Sequence, residues 1–153
     1  MKSIVMTDSH GRLDYMLKVV EKEKADILFF AGDHSEDCIE LKYIKENINC
    51  YIVKGNTDFN DYTTPEVLKI EIKSQKIFLT HGHLFGVKRG YNVIKDEAVT
   101  KNSSLVIFGH THIPYIEKWH NITFFNPGAM KDGNYGVIEF TEEGYKIEQK
   151  SLF

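Results

Sequence analysis

The chain has 153 residues, a formal net charge of −3, and 42% hydrophobic against 27% charged residues. Such a chain can build one sizeable core, and its charge balance argues against the clustered basic surface that long nucleic acids require. No apolar run approaches the roughly 18 residues of a membrane span, Ile4-Val5-Met6 is too short for a signal-peptide core, and Cys38 and Cys50 make no disulfide framework, so a reducing, cytoplasmic setting is expected.

Ile4 to Met6 is a short β-favouring run. Leu13 to Lys24 carries Leu13, Met16, Leu17 and Val20 at helical spacing. Ile27 to Ala31 reads as a buried strand, Asp37 to Ile48 as a helix with a broad apolar stripe, and Cys50 to Val53 as another strand. The β-α-β-α-β order predicts a parallel sheet layered by helices. Beyond it, Val67 to Ile72 and Lys76 to Leu79 flank a hairpin turn at Lys73-Ser74-Gln75. Tyr91 to Thr100 reads as a helix and Leu105 to Phe108 as a buried strand. Ile116 to His120, Ile122 to Phe125, Tyr135 to Phe140 and Tyr145 to Gln149 complete the strands. The pattern predicts one α/β domain over residues 1–153 with a second, mostly antiparallel sheet.

Five of these strand runs end alike. Ile4-Val5-Met6 leads to Thr7-Asp8-Ser9-His10, and Leu28-Phe29-Phe30-Ala31 to Gly32-Asp33. Tyr51-Ile52-Val53 leads to Lys54-Gly55-Asn56, Ile77-Phe78-Leu79 to Thr80-His81-Gly82-His83, and Leu105 to Phe108 to Gly109-His110-Thr111-His112. Carboxyl ends of parallel strands share an edge where ligands bind, so Asp8, His10, Asp33, Asn56, His81, His110 and His112 are expected to converge. Their carboxylate, imidazole and amide donors suit Mn, Fe, Zn, Ni or Co. Strand alternation would put both side chains of Asp8-x-His10, and of His110-x-His112, on one side. Taken singly, Asp8 reads as a helix N-cap, Asp33 and Asn56 as turn residues, and His81 or His110 as hydrogen-bonded core histidines. Five separate turn requirements do not account for the same donor types at five strand ends.

In that order, these blocks resemble the five blocks of the calcineurin-like metallophosphoesterase superfamily, from residue 3 to about residue 140. Gly55-Asn56-Thr57-Asp58 and Asn126-Pro127-Gly128 resemble its small bacterial and archaeal phosphodiesterase branch, the YfcE-like group. The resemblance implies a four-layer αββα sandwich of two mixed β-sheets flanked by helices. It implies two divalent ions, manganese first, with nickel, zinc, iron or cobalt as alternatives. Asp8, His10, Asp33 and His112 would hold one ion; Asp33, Asn56, His81 and His110 the other. A hydroxide between them would attack phosphorus in line.

Many members of the superfamily carry histidine after the Gly-Asn pair, a residue often assigned to the leaving group or phosphate. Thr57 stands there, and its hydroxyl is a poor acid near neutral pH. His83 and His34 are the candidates to replace it, and His83 joins Asp33 and Asn56 as the expected catalytic residues. Asp58 is a candidate to orient a ligand or a neighbouring loop, and Asn126 to support the metal-binding loops. The expected partner is a small phosphoester, with no membrane or long nucleic acid, in a chain that could form a dimer or tetramer. The competing functions are a non-catalytic interaction scaffold resembling the retromer subunit, and a phosphomonoesterase or nucleotidase.

Overall fold

Alternation along the strands decides the layering. In the computed structural model, which describes residues 1–153, β1 (Lys2–Met6) points Val5 one way and Ile4 and Met6 the other, all fully buried. After β1 come α1 (Leu13–Glu23), β2 (Ile27–Phe30), α2 (Ser35–Ile44) and β3 (Asn49–Ile52). A hairpin of β4 (Val67–Ile72) and β5 (Gln75–Thr80) precedes α3 (Asn92–Thr100) and β6 (Leu105–Ile107). The chain closes with β7 (Tyr115–Trp119), β8 (Ile122–Asn126), β9 (Asn134–Thr141) and β10 (Gly144–Ser151).

Two five-stranded mixed sheets result, in the orders β10-β9-β1-β2-β3 and β4-β5-β6-β8-β7. Val5, Phe29 and Phe140 from the first sheet meet Leu79, Ile107 and Phe125 from the second in the central core. On the outer face of the first sheet, Ile4, Leu28 and Phe30 pack against Met16 and Val19 of α1 and Cys38 and Leu41 of α2. On the outer face of the second, Phe78, Val106 and Phe124 pack against Ile94 and Ala98 of α3. This is the four-layer αββα arrangement, and each fully buried apolar side chain contributes about 1.5–3 kcal/mol to holding it. No helix is long and apolar enough to cross a membrane.

Three details depart from the sequence reading. The second sheet is evenly mixed, with β5-β6 and β6-β8 parallel and the outer β4-β5 and β7-β8 pairs antiparallel. The strands from Tyr135 onward return to the first sheet, where β9 runs antiparallel beside β1. Helix α2 begins two residues earlier than expected because the Ser35 N–H donates to Asp58 Oδ1 (3.0 Å), a cap from a distant loop. It ends at Ile44, where Lys45 leaves helical geometry.

Candidate metal centre

Each of the six strands running parallel within its sheet, β1, β2, β3, β5, β6 and β8, sends its following loop to one edge. The loops are pinned to one another by main-chain bonds, Asp8 N–H to the Gly32 carbonyl (2.9 Å) and Gly109 N–H to the His81 carbonyl (3.0 Å). This brings Asp8, His10, Asp33, His81, His110 and His112 together. Strand alternation does not aim the two x-separated pairs: Asp8, His10, His110 and His112 all have positive φ, between 43° and 70°. The loops curl through left-handed positions, which cost non-glycine residues energy and persist where surrounding contacts over-determine them.

The Asp8 carboxylate is fully buried. Its Oδ2 accepts the Thr7 hydroxyl (2.6 Å) and the His110 N–H (3.1 Å), which turns Oδ1 toward the histidines. His112 Nε2 lies 3.0 Å from Oδ1 and His10 Nε2 3.8 Å from it. The two oxygens of Asp33 face different partners, Oδ2 lying 3.7 Å from His10 Nε2 and Oδ1 3.4 Å from His81 Nε2. His81 is fully buried, and its Nδ1–H donates to the Ala31 carbonyl at 2.7 Å, since a carbonyl can only accept. The tautomer is thereby fixed and the Nε2 lone pair faces the cluster, 3.2 Å from His110 Nδ1. A shared proton or a cation satisfies that pair.

Asp8-His10-His112 and Asp8-Asp33-His81 each place one donor atom per residue within 4.8 Å of the others. Asp8 Oδ1 and His10 Nε2 are buried without a hydrogen-bond partner. Burial pushes both carboxyls up, but the surrounding imidazoles and the hydroxyl or N–H groups of Thr7 and Thr57 outweigh it, holding Asp8 and Asp33 below the ordinary carboxylate range. Burial, then the neighbouring His81 and Lys88, push His110 down to about 4. Two ionised carboxylates without a lysine or arginine partner cost several kcal/mol each. Divalent cations offset that charge and satisfy the orphaned atoms, so the donor set fits them.

The remaining sequence candidates occupy distinct places. Asn56 is exposed and its side chain makes no hydrogen bond, but its neighbours hold Asp33: the Thr57 N–H donates to Asp33 Oδ1 (3.1 Å), and a Cβ on Gly55 would lie 2.1 Å from the same oxygen. His83 opens a 3-10 turn behind Gly82; its ring centre lies 5.5 Å from that of His81, and its Nδ1 is buried and unpartnered. The His34 ring stands 5.1 Å from His10. Asp58 accepts the N–H groups of Asp33 (3.0 Å), Gly55 (2.8 Å) and Ser35, tying two ligand loops to α2. Asn126 donates to the Gly109 carbonyl (3.0 Å) and Thr111 Oγ1 (2.9 Å), which supports the histidine loop.

Sequence reasoning missed Asp37, whose Oδ2 accepts the Ser9 hydroxyl (2.7 Å) and Gly11 N–H (2.8 Å) and so holds the Asp8-x-His10 loop. It also missed Thr7. The only signal for either was a polar residue where an apolar one would bury more easily.

The family model described as the calcineurin-like phosphoesterase superfamily domain matches residues 1–141. The phosphodiesterase YfcE of Escherichia coli K12 is 40% identical, with 91% of this chain and 88% of that protein covered. A crystal structure from Streptococcus pneumoniae TIGR4, described as a predicted phosphoesterase, aligns with a TM-score of 0.79 at 29% identity, covering 98% and 88% of the two chains. Entamoeba histolytica Vps29, solved as a complex with Zn²⁺, also reaches 0.79 over 99% of each chain, at 17% identity, a likeness of fold.

Proposed function

The chain belongs to the calcineurin-like phosphoesterase superfamily, and we propose that it is a hydrolase of small phosphodiesters that works with two divalent metal ions, manganese foremost. One observation carries this reading: two adjacent buried carboxylates and four imidazoles meet at one sheet edge with Asp8 Oδ1 and His10 Nε2 left unpartnered. We assign Asp8, His10, Asp33 and His112 to one ion and Asp33, Asn56, His81 and His110 to the other. The two-sided contacts of Asp33 support its shared position. When bound, such ions supply Lewis-acid polarisation of the phosphoester and acidify water near neutral pH.

The chain's own residues have separate tasks. Thr7 and the His110 N–H hold one Asp8 oxygen so that the other faces the ions. The Ala31 carbonyl holds the His81 ring, and Asp58 holds the Asp33 and Gly55 loops. We assign the phosphoryl contact to His83, whose ring centre lies 5.5 Å from that of His81, in place of the histidine usual at the position of Thr57. Free thiols at Cys38 and Cys50 fit a reducing, cytoplasmic setting.

Metal analysis of the purified protein, with hydrolysis of bis(4-nitrophenyl) phosphate before and after Mn²⁺ addition, tests the reading. Asp33→Asn is expected to lower metal content and activity together; an unchanged rate at saturating metal would sink the shared role. The Vps29 likeness favours a second reading, an interaction scaffold, and a protein that binds no divalent metal and hydrolyses neither diester nor monoester would support it.

A further inference from the structure

The chain's two cysteines meet across a helix–strand contact. Alternation along β3 sends Tyr51 toward the central core and Cys50 to the outer face, where α2 packs. Cys38 lies on the side of α2 that faces this sheet, fully buried in the same cluster. Both thiols are free, and they are hydrogen-bond neighbours.

Their surroundings differ. Cys38 sees no solvent, and burial, then the Cys50 sulfur, push its thiol up. Cys50 is half-buried, on the wall of a cavity of about 710 Å³. Lys42, one turn beyond Cys38 on α2, is the one cation on that wall, with Glu46 the one carboxylate. The hydrogen bond from Cys38, assisted by Lys42, outweighs burial and holds the Cys50 thiol below its ordinary range. The thiolate is the reactive form. An accessible sulfur disposed to ionise therefore stands against a buried one whose route to reaction is through its neighbour.

The pair is also joined to the metal centre. Asp37 precedes Cys38, and its Oδ2 accepts the Ser9 hydroxyl (2.7 Å) and the Gly11 N–H (2.8 Å) of the Asp8-x-His10 loop. Strand β3 is fixed by its ladder with β2, where Leu28 stands opposite Cys50. The first turn of α2 is held by side-chain ties, Asp58 to the Ser35 N–H and Asp37 to the Ser9 loop. A disulfide bond, at about 2 Å, is shorter than any contact between two thiols. Forming it draws α2 rather than β3, and Asp37 moves with the helix.

We propose that Cys38 and Cys50 are a reversible redox site that reacts with hydroperoxides, and that its disulfide loosens the Asp8-x-His10 loop. The Cys50 thiolate attacks a peroxide oxygen and the O–O bond breaks, giving Cys50 sulfenic acid and hydroxide, which takes up the thiol's proton as water. The Cys38 sulfur then attacks the sulfenic sulfur, the S–O bond breaks, and hydroxide leaves with the Cys38 proton as a second water. Two thiols are oxidised to one disulfide, and one hydrogen peroxide is reduced to two waters. Exchange with a small thiol restores both groups, the reversible use to which disulfides are put in reducing compartments. The dithiol site stands whatever ester the chain hydrolyses; its coupling to the centre rests on the metal reading above.

Hydrogen peroxide is the probe. Reduced, metal-free protein is treated with it, the excess is removed with catalase, and remaining thiols are alkylated before peptide mapping by mass spectrometry. The expected product is an intramolecular Cys38–Cys50 cross-link that dithiothreitol reverses. Cys38→Ala should stop at a Cys50 sulfenic acid, trapped by dimedone, and Cys50→Ser should leave Cys38 unmodified. The wild-type map and Cys50→Ser decide the question even where Cys38→Ala does not fold. Calorimetric Mn²⁺ titration should find the oxidised wild type about tenfold weaker than the reduced form, the scale of a lost outer support, and Cys50→Ser indifferent to peroxide. Two thiols still open to alkylation after peroxide, a cross-link between chains, or oxidation that dithiothreitol does not reverse overturns the site. A cross-link with unchanged Mn²⁺ affinity overturns its coupling to the centre. A reduced protein that binds no Mn²⁺ overturns the metal reading and the coupling with it, while the peptide map still decides the dithiol site.

Discussion

Gly109 lies so close to Thr7 that a Cβ on the glycine would stand 2.1 Å from Thr7 Oγ1, and 2.6 Å from Asp8 Oδ2. The contact joins the loop after β6, in the second sheet, to the loop after β1, in the first. Its backbone dihedral is unexceptional, so the requirement for glycine here is one of space alone. Main chain must pass against the Thr7-Asp8 hydrogen bond for the His110 N–H to reach the same carboxylate oxygen.

Gly109→Ala therefore pushes the two loops apart and releases Asp8. We expect a loss of about 1–3 kcal/mol of stability, the usual cost of overpacking, together with weaker metal binding. Urea unfolding and calorimetric Mn²⁺ titration measure the two effects. Wild-type metal affinity in the folded variant would show that Asp8 does not depend on this contact.

The Asp58 carboxylate makes a second cross-loop tie. An amide in its place offers one acceptor oxygen where three N–H groups converge, and sets an NH₂ against at least one of them. Asp58→Asn should cost about 1–3 kcal/mol for the unsatisfied donor and lower metal affinity by about 10- to 100-fold through the misplaced Asp33 loop. Comparing urea midpoints with and without Mn²⁺ separates the terms, because the stability added by bound metal rises with the logarithm of its affinity. Equal midpoint shifts in variant and wild type would remove Asp58 from the support of the centre.

The strand ends, the donors and the layered class were legible because each follows from a short local pattern: an apolar run, then a polar residue beside glycine. The Asp8-x-His10 and His110-x-His112 pairs were found for the wrong geometric reason, since left-handed loops rather than strand alternation aim them. Their partners are also split, His112 reaching Asp8 and His110 reaching His81. What local pattern could not show was anything set by contacts across the chain. The early start of α2 depends on Asp58, 23 residues away in sequence, and the Asp37 anchor on the Ser9 loop, 28 residues away. The return of β9 to the first sheet depends on pairing with β1 at the opposite end of the chain. The helical face of α1 is likewise rotated: Met16, Val19 and Glu23 are its buried positions, while Leu13, Leu17 and Val20 pack at its margin.

Glu23 explains that rotation and yields a pH prediction. It is 6% exposed, and accepts the Tyr135 hydroxyl (2.7 Å) and the ammonium groups of Lys150 (2.9 Å) and Lys2 (2.9 Å). Burial alone would raise its pKa, but Lys150, Tyr135 and Lys2 outweigh that and hold the group at about 2. A carboxyl depressed in the folded state adds stability above its unfolded value of about 4.5, and that stability is lost as pH falls toward 2. Glu23→Gln should thus be less stable than wild type near neutrality by about 2 kcal/mol, allowing for the partly exposed lysines. The difference should narrow below pH about 4.5. Urea denaturation from pH 7 down to the acid limit of folding measures it, and a constant difference would mean that packing, not charge, fixes the residue.

His83 is the remaining candidate for contact with the reacting phosphate. It stands outside the two carboxylate-imidazole triads, and its buried Nδ1 has no protein partner, so removing the ring breaks no hydrogen bond that holds the fold. His83→Ala should leave metal content and melting temperature near wild type while lowering kcat/KM by about 10²-fold, the scale of one lost donor to a developing oxyanion. A fall in kcat with little change in KM would place the contact in the transition state. If metal content falls in parallel with activity, the ring serves the ions rather than the substrate, and Thr57 is left without a replacement on this side of the cleft. His83→Gln separates these cases further, because an amide keeps a donor near the position of Nε2 but is a poor metal ligand. Partial recovery of kcat at unchanged metal content is the outcome expected for a phosphate contact.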